Sequence, residues 1–419
     1  MIKDRINYSY LLACFLFFLI LPPIIALPVV IFMVWMKKTP KYSDYLLLMV
    51  CIAAYLGAIN ATKTPAGDQV NYFVAYENVP DIGFWKSLIF IYGTSLMDDP
   101  NKTMLSAEFM NGVYNFFGYY LTFGYYPLFE FLLTFCSYML IFTGLYKFCS
   151  SLEKPHFPIV CGVLILSFFY LYFQFTLQIQ KQLLAQAIMM YVIGDYAYRG
   201  TLTIRSKVVM VLAIFTHQSM LFFVPFIVLK RFRTKMNKPT IFMVLIMLGL
   251  LIFFGPRLLG GGSSEQSSNV MMYSVNRFAQ SETNNDDAGG VSMIHIVVIA
   301  IPLAMICFKR MMGYQKRFVA SQAFLVLVVL LILVTVFAMT RQPTAQYRFF
   351  MMLMQFMPFV YPLAFKNVAL RNYLLTALSF IMIGWFYLQF SKIIWHYAPE
   401  IDILIKSPII LIATNYAGI

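Results

Sequence analysis

Apolar runs long enough to cross a bilayer recur along almost the whole chain, separated by short clusters of lysine and arginine. A bilayer's hydrocarbon core is about 30 Å thick, and a helix needs roughly 17–25 apolar residues to cross it. The hydrophobic share is 61% and the charged share 11%, against about 45–50% and about 25% in a soluble domain. That much apolar surface cannot be hidden in one soluble core, so lipid must be the solvent for most of it. Inside lipid every backbone N–H and C=O needs an internal partner, which makes the runs helices. The expected fold is therefore all-α and polytopic. Full spans are expected near residues 10–35, 43–61, 127–149, 157–177, 182–198, 240–256, 292–308, 318–340, 347–365 and 373–391, about ten in all. No soluble domain and no internal repeat is evident, so residues 1–419 read as one transmembrane domain.

The net charge of +14 would suggest nucleic acid only if it formed a patch. Here it is dispersed between the apolar runs, which is the positive-inside pattern. With Lys37/Lys38/Lys41, Lys147/Lys154, Arg199/Arg205/Lys207, Lys230–Lys238, Lys309–Arg317 and Lys366/Arg371 cytoplasmic, the segments 62–126, 257–291 and 391–419 fall outside. Val208–Leu229 breaks the alternation, because basic clusters lie at both its ends. A re-entrant helical hairpin turning near His217 resolves this, provided protein or a watery cavity surrounds it. Ser106–Phe123 is aromatic and amphipathic, and reads as an outer-face interfacial helix. The Gly-, Ser- and Asn-rich loop 257–291 reads as solvated and flexible.

This topology brings Asp68, Lys181, His217, Arg341 and Arg348 to the outer side from distant parts of the chain. Ionisable groups at membrane depth are costly and are often functional. Lys181 lies among Gln174, Gln178, Gln182 and Gln186, whose spacing of four puts them on one face of a continuous helix. That face reads as a wall for an anionic, hydroxyl-rich ligand, or as interhelical polar glue. Arg341 and Arg348 flank a Pro343-containing turn. Their guanidinium forks match phosphate oxygens, although arginines at an interface also snorkel to headgroups. The His217 imidazole can accept a proton from an attacking hydroxyl, or merely cap a broken helix. Asp68, Tyr72 and Tyr76 are four apart and could hold a sugar by carboxylate and ring contact, while Asp68 could equally be a helix N-cap. Glu108 and Glu130 are further candidates. His156, His295 and His396 read as structural or interfacial. Asp98–Asp99 and Asp286–Asp287 read as solvated pairs. No phosphate-binding glycine loop, HExxH or nucleotide-sugar signature occurs, so neither metal nor cofactor is expected.

Four elements in order give the chain a likeness: Gly67-Asp68-x3-Tyr72, Gln180-Lys181-Gln182-x2-Ala185, Phe215-Thr216-His217-Gln218-Ser219, and Arg341 to Phe349. Together they resemble the EpsG family of Wzy-type polysaccharide polymerases. The family more often has arginine where Lys181 stands, and lysine keeps the charge without the fork. The resemblance implies an enzyme of the bacterial cytoplasmic membrane acting on its outer face. It would join undecaprenyl-diphosphate-linked repeat units into O-antigen, capsule or exopolysaccharide, without nucleotide or metal. It further implies His217 or Asp68 as base and Arg341, Arg348 and Lys181 on the diphosphate. Tyr72, Tyr76, Gln178, Gln182 and Glu108 would contact sugars. Partners would be lipid-linked glycans and membrane lipids, with a flippase and a chain-length regulator as candidates, and no nucleic acid. Rival readings are an O-antigen-ligase-type glycosyltransferase, a transporter or flippase of lipid-linked oligosaccharide, and a membrane O-acyltransferase.

Overall fold

The computed structural model describes residues 8–66, 68–89, 108–176, 179–229, 237–258, 291–312, 320–339, 343–392 and 397–416. Among the described residues all regular secondary structure is helical, without a strand. Among the described residues, four helices are both long and apolar enough to cross a membrane: Tyr42–Ala61, Tyr126–Cys149, Met293–Met312 and Val368–Lys392. The protein is a polytopic helical membrane protein. Five shorter apolar helices accompany these four, so the tenfold count is not reproduced by length and composition.

The differences have local causes. The run 10–35 is two helices, α1 (Tyr8–Ile20) and α2 (Pro23–Trp35), because Pro22 and Pro23 lack the N–H groups a continuous helix would need. Each has 13 residues, or about 20 Å of rise. The run 157–177 divides into α8 (His156–Ser167) and α9 (Tyr170–Thr176) with no glycine or proline at the break. There Phe168 packs on Phe386 and Tyr387, and Phe169 on Trp385, so tertiary aromatic packing sets the break. The expected run 182–198 exists as α10 (Gln180–Arg199). Its glutamines, Lys181 and Asp195 make it too polar for a lipid-facing span, and it is instead almost wholly buried.

The chain forms two compact units. The first comprises Met1–Asp195, Thr203–His217 and Asn372–Ile419; the second comprises Tyr196–Leu202 and Gln218–Arg371. In the first, α3 (Tyr42–Ala61) is the central helix, buried along nearly its whole length. Around it lie α1, α2, α7 (Tyr126–Cys149), α8 and the short C-terminal helix Pro408–Ala413. Tyr55 on α3 ties in the C-terminal part, its hydroxyl meeting Tyr387 Oη at 3.0 Å and the Ile403 carbonyl at 3.2 Å. Between α3 and α7 run α4 (Asp68–Glu77), α5 (Val79–Ile89) and α6 (Met110–Leu121). With 12 residues, α6 rises about 18 Å, too short to span and compatible with the expected interfacial helix. Helix α10 crosses α7 at two glycines. A Cβ on Gly194 would lie 2.1 Å from the Gly144 carbonyl oxygen, and one on Gly144 would lie 2.5 Å from that of Met190.

In the second unit, helix Ala320–Ala338 is packed by Lys238–Leu258, Met293–Met312 and Pro343–Val360. Arg310 Nε donates to the Leu363 carbonyl, and Gln346 donates to the Val336 carbonyl at 2.9 Å.

The glycine crossing gives a direct test. Gly194→Ala should destabilise the full-length protein by about 1–3 kcal/mol through overpacking, lowering its melting temperature in detergent. Gly384→Ala, where nothing lies within 4 Å of the added Cβ, should leave it unchanged or raise it, since alanine is the better helix former.

Candidate functional site

The helix that begins in Ile204–Thr216 (α11) ends at His217, whose φ of −154° and ψ of 123° are extended. A 3-10 turn, Gln218–Phe223, and a short helix, Val224–Val228, follow. The break expected at His217 is therefore present. The segment Thr203–His217 belongs to the first unit, and the residues from Gln218 onward to Arg371 belong to the second.

Three side chains from distant segments meet in the first unit. Lys181 Nζ lies 2.9 Å from Glu108 Oε2, with side chains only 5% and 11% exposed. The other oxygen, Glu108 Oε1, faces His217 Nε2 at 4.0 Å. Lys181 Nζ also stands 5.6 Å from the ring centroid of Tyr72, within cation–π reach. Phe109 and Phe215 place their rings 4.8 Å apart beside the pair, joining α6 to α11.

Lys181 occupies the first turn of α10, the positive end of the helix dipole, where anions are favoured and a cation is opposed. The first N–H groups of any helix also lack intrahelical partners. The ammonium at this helix end is met by the Glu108 carboxylate. Glu108 thereby takes a larger place than its sequence context suggested, between a cation and an imidazole.

A second network holds the start of α10. Gln180 Nε2 donates to a Glu130 carboxylate oxygen and, at 3.2 Å, to the Tyr126 hydroxyl. Asn60 Nδ2 donates to Glu130 Oε2 and to Thr134 Oγ1, both at 2.9 Å. Lys63 is buried near Glu130; burial pulls its ammonium pKa down to about 7 while Glu130 pulls the other way. Sequence reasoning did not single out Asn60 or Lys63, and it named Gln180 only as part of the Gln180-Lys181-Gln182 element. Their signal was a set of amides and a lysine at the ends of apolar runs.

The other expected residues divide. Asp68 begins α4, so Asp68, Tyr72 and Tyr76 do lie on one helix, with Tyr72 at Lys181. Tyr76 is instead a core residue. Its hydroxyl is 2.5 Å from Thr122 Oγ1 and its ring packs among Tyr119, Tyr126 and Phe129. The continuous glutamine face is also corrected: Gln174 is on α9 while Gln182 and Gln186 are on α10, so no single helix carries them. Gln182 is buried. Gln178, Arg341, His396 and the pairs Asp98–Asp99 and Asp286–Asp287 lie outside the described residues. Arg348 stands near the start of Pro343–Val360 in the second unit. Beside it Phe349 packs on Phe222, just past the break at His217 in sequence, with centroids 5.3 Å apart. His156 is structural, bridging Tyr45 Oη at 3.0 Å and the Trp35 carbonyl at 3.1 Å. His295 stacks on Phe350 at 5.9 Å.

The EpsG family model matches residues 89–403. The chain belongs to the EpsG family. No curated protein and no solved structure matches it significantly. The EpsG match takes in Glu108, Lys181, His217, Arg341 and Arg348. Asp68, Tyr72 and Tyr76 precede it, so the first element of the family likeness falls outside the matched range.

The buried ion pair predicts a thermodynamic signature. Glu108→Gln should strand the Lys181 charge and destabilise the protein by about 3–5 kcal/mol. Adding Lys181→Met should recover most of that loss in a detergent melting series. Additive losses would mean that the pair does not exist.

Proposed function

We propose that this EpsG-family protein is a glycosyltransferase that polymerises undecaprenyl-diphosphate-linked oligosaccharide repeat units at the outer face of the bacterial cytoplasmic membrane. The reading carries with it about ten membrane crossings, the re-entrant arm at His217, and a site open to the outside. The observation that carries it is the buried Lys181–Glu108–His217 cluster, in a chain whose family match covers residues 89–403.

The chemistry follows from that cluster. The donor's diphosphate takes the place at Lys181 now held by Glu108, and the family likeness adds Arg341 and Arg348 as diphosphate ligands. Bidentate guanidinium–phosphate pairing neutralises charge that grows on the leaving group. Displaced from Lys181, the Glu108 carboxylate turns to His217 and holds its imidazole as general base. The imidazole takes the proton from an acceptor hydroxyl. That oxygen bonds to the donor's anomeric carbon, the bond from that carbon to the phosphate oxygen breaks, and undecaprenyl diphosphate leaves with the electron pair. The diphosphate bond to sugar supplies the driving force, so no nucleotide is consumed. A flippase that delivers the repeat units and a chain-length regulator are the partners this scheme calls for.

The decisive assay uses purified protein and a synthetic lipid-linked repeat unit, read as a polymer ladder. His217→Ala should lower kcat about 100-fold or more, the scale of a lost general base. Arg348→Ala should be comparably impaired, and Arg348→Lys should recover little, because lysine has no fork. A full ladder from either alanine variant would remove that residue's role. Wild-type protein that moves lipid-linked units across a vesicle membrane without lengthening them would make it a transporter.

A further inference from the structure

Helix α6 is turned inside out compared with an amphipathic helix on a soluble protein. Its exposed side is apolar: Phe117, Tyr120 and Leu121 are 60%, 54% and 67% exposed. Its covered side is polar: Asn111 and Asn115 are each only 2% exposed. The Asn111 N–H donates to the Glu108 carbonyl at 3.0 Å, so the helical path already includes Glu108. Residues three and four apart on such a path are neighbours. Glu108, Asn111 and Asn115 therefore follow one another along one face, with Tyr114 beside them. Helix α6 packs against α4, α5, α7 and α11, the elements that carry Tyr72, Glu130 and the approach to His217.

Among the described residues, the Oδ1 atoms of Asn111 and Asn115 and the Tyr114 hydroxyl have no hydrogen-bond partner. The electrostatic neighbours of that hydroxyl include Tyr72, Glu108 and Glu130. A buried polar group left unmet costs about 1–3 kcal/mol, and nearly all such groups in folded proteins are paired. Three on one face, directly following an ion-paired carboxylate, are not explained by packing, since leucine would fill the same volume at lower cost. Uncharged amides and a phenol are the groups that pair with the alternating donors and acceptors of sugar hydroxyls.

We propose that Asn111, Tyr114 and Asn115 form a sugar-reading subsite that hydrogen-bonds the hydroxyls of the acceptor repeat unit next to Glu108. This rests on the polymerase reading above and deepens it, by assigning specificity to α6 rather than to the glutamines of α10. Glu108 then marks the junction between the sugar subsite and the diphosphate subsite at Lys181.

The test combines protein variants with altered acceptors, using the full chain in lipid nanodiscs. Synthetic lipid-linked acceptors would be compared intact and with single hydroxyls replaced by hydrogen. In the wild type at least one deoxy acceptor should lose about 10-fold or more in kcat/KM, because the subsite's polar groups are left unpaired. Asn115→Leu, Asn111→Leu or Tyr114→Phe should lose a similar factor with the intact acceptor, mainly through KM. The matching deoxy acceptor should then show no further loss. Melting temperature should hold or rise, as an unmet polar group has been removed. Tyr114→Phe is nearly isosteric and carries the test should either leucine variant fail to fold. An unchanged deoxy penalty in all folded variants overturns the subsite alone and leaves buried water as the partner of these groups. Wild-type protein that makes no polymer from any lipid-linked repeat overturns the polymerase reading and the subsite together.

Discussion

A charge held inside a lipid-solvated bundle must be paired, and helix α10 is organised by that constraint at both ends. Near its start Lys181 meets Glu108 at 2.9 Å. Near its end Asp195 accepts from Lys147 and, at 2.8 Å, from the Ser206 hydroxyl. With 20 residues the helix rises about 30 Å, the thickness of the hydrocarbon core. Its two pairs are thus separated by much of that depth. Neither pair is evidence of large net stability, because desolvation offsets most of the Coulomb attraction. What pairing does secure is position, since breaking either pair strands a charge where water cannot reach it.

Position at the Lys181 end is what the proposed chemistry needs. Gln180 is gripped by Glu130 and Tyr126, Glu130 by Asn60, and the next residue in the chain is Lys181. The close backbone approach of Gly144 and Gly194 holds α10 against α7 further along. The lysine is therefore presented from a fixed helix end rather than from a loop, and the dipole of that end adds to its pull on an anion. Helix α6 closes the arrangement from the side, polar face inward and aromatic face outward, as expected for an element between lipid and a polar interior.

Much of the architecture was legible beforehand, for physical reasons that can be named. The apolar runs gave helices because lipid permits little else. The break at His217 was legible because basic residues flank Val208–Leu229 on both sides. The division at Pro22–Pro23 follows from the two missing N–H groups there. The division at Phe168–Phe169 was not written locally at all; it follows from rings supplied by Trp385, Phe386 and Tyr387, more than 200 positions along the chain. A further break, between α9 and α10, divides the glutamine series whose even spacing suggested one continuous face.

The sequence by itself determined the solvent, the helical class, the broken helix and the residue types fit for phosphate and proton chemistry. Those depend on composition, periodicity and charge order, which are properties of the chain taken in order. Only the tertiary structure decided partners. It set Glu108 between Lys181 and His217, put Tyr72 at the cation and Tyr76 in the core, and turned the asparagines of α6 inward. Pairing of this kind depends on which helix ends come within a few ångströms of one another, and separations of 73 and 109 residues leave no periodic trace in sequence.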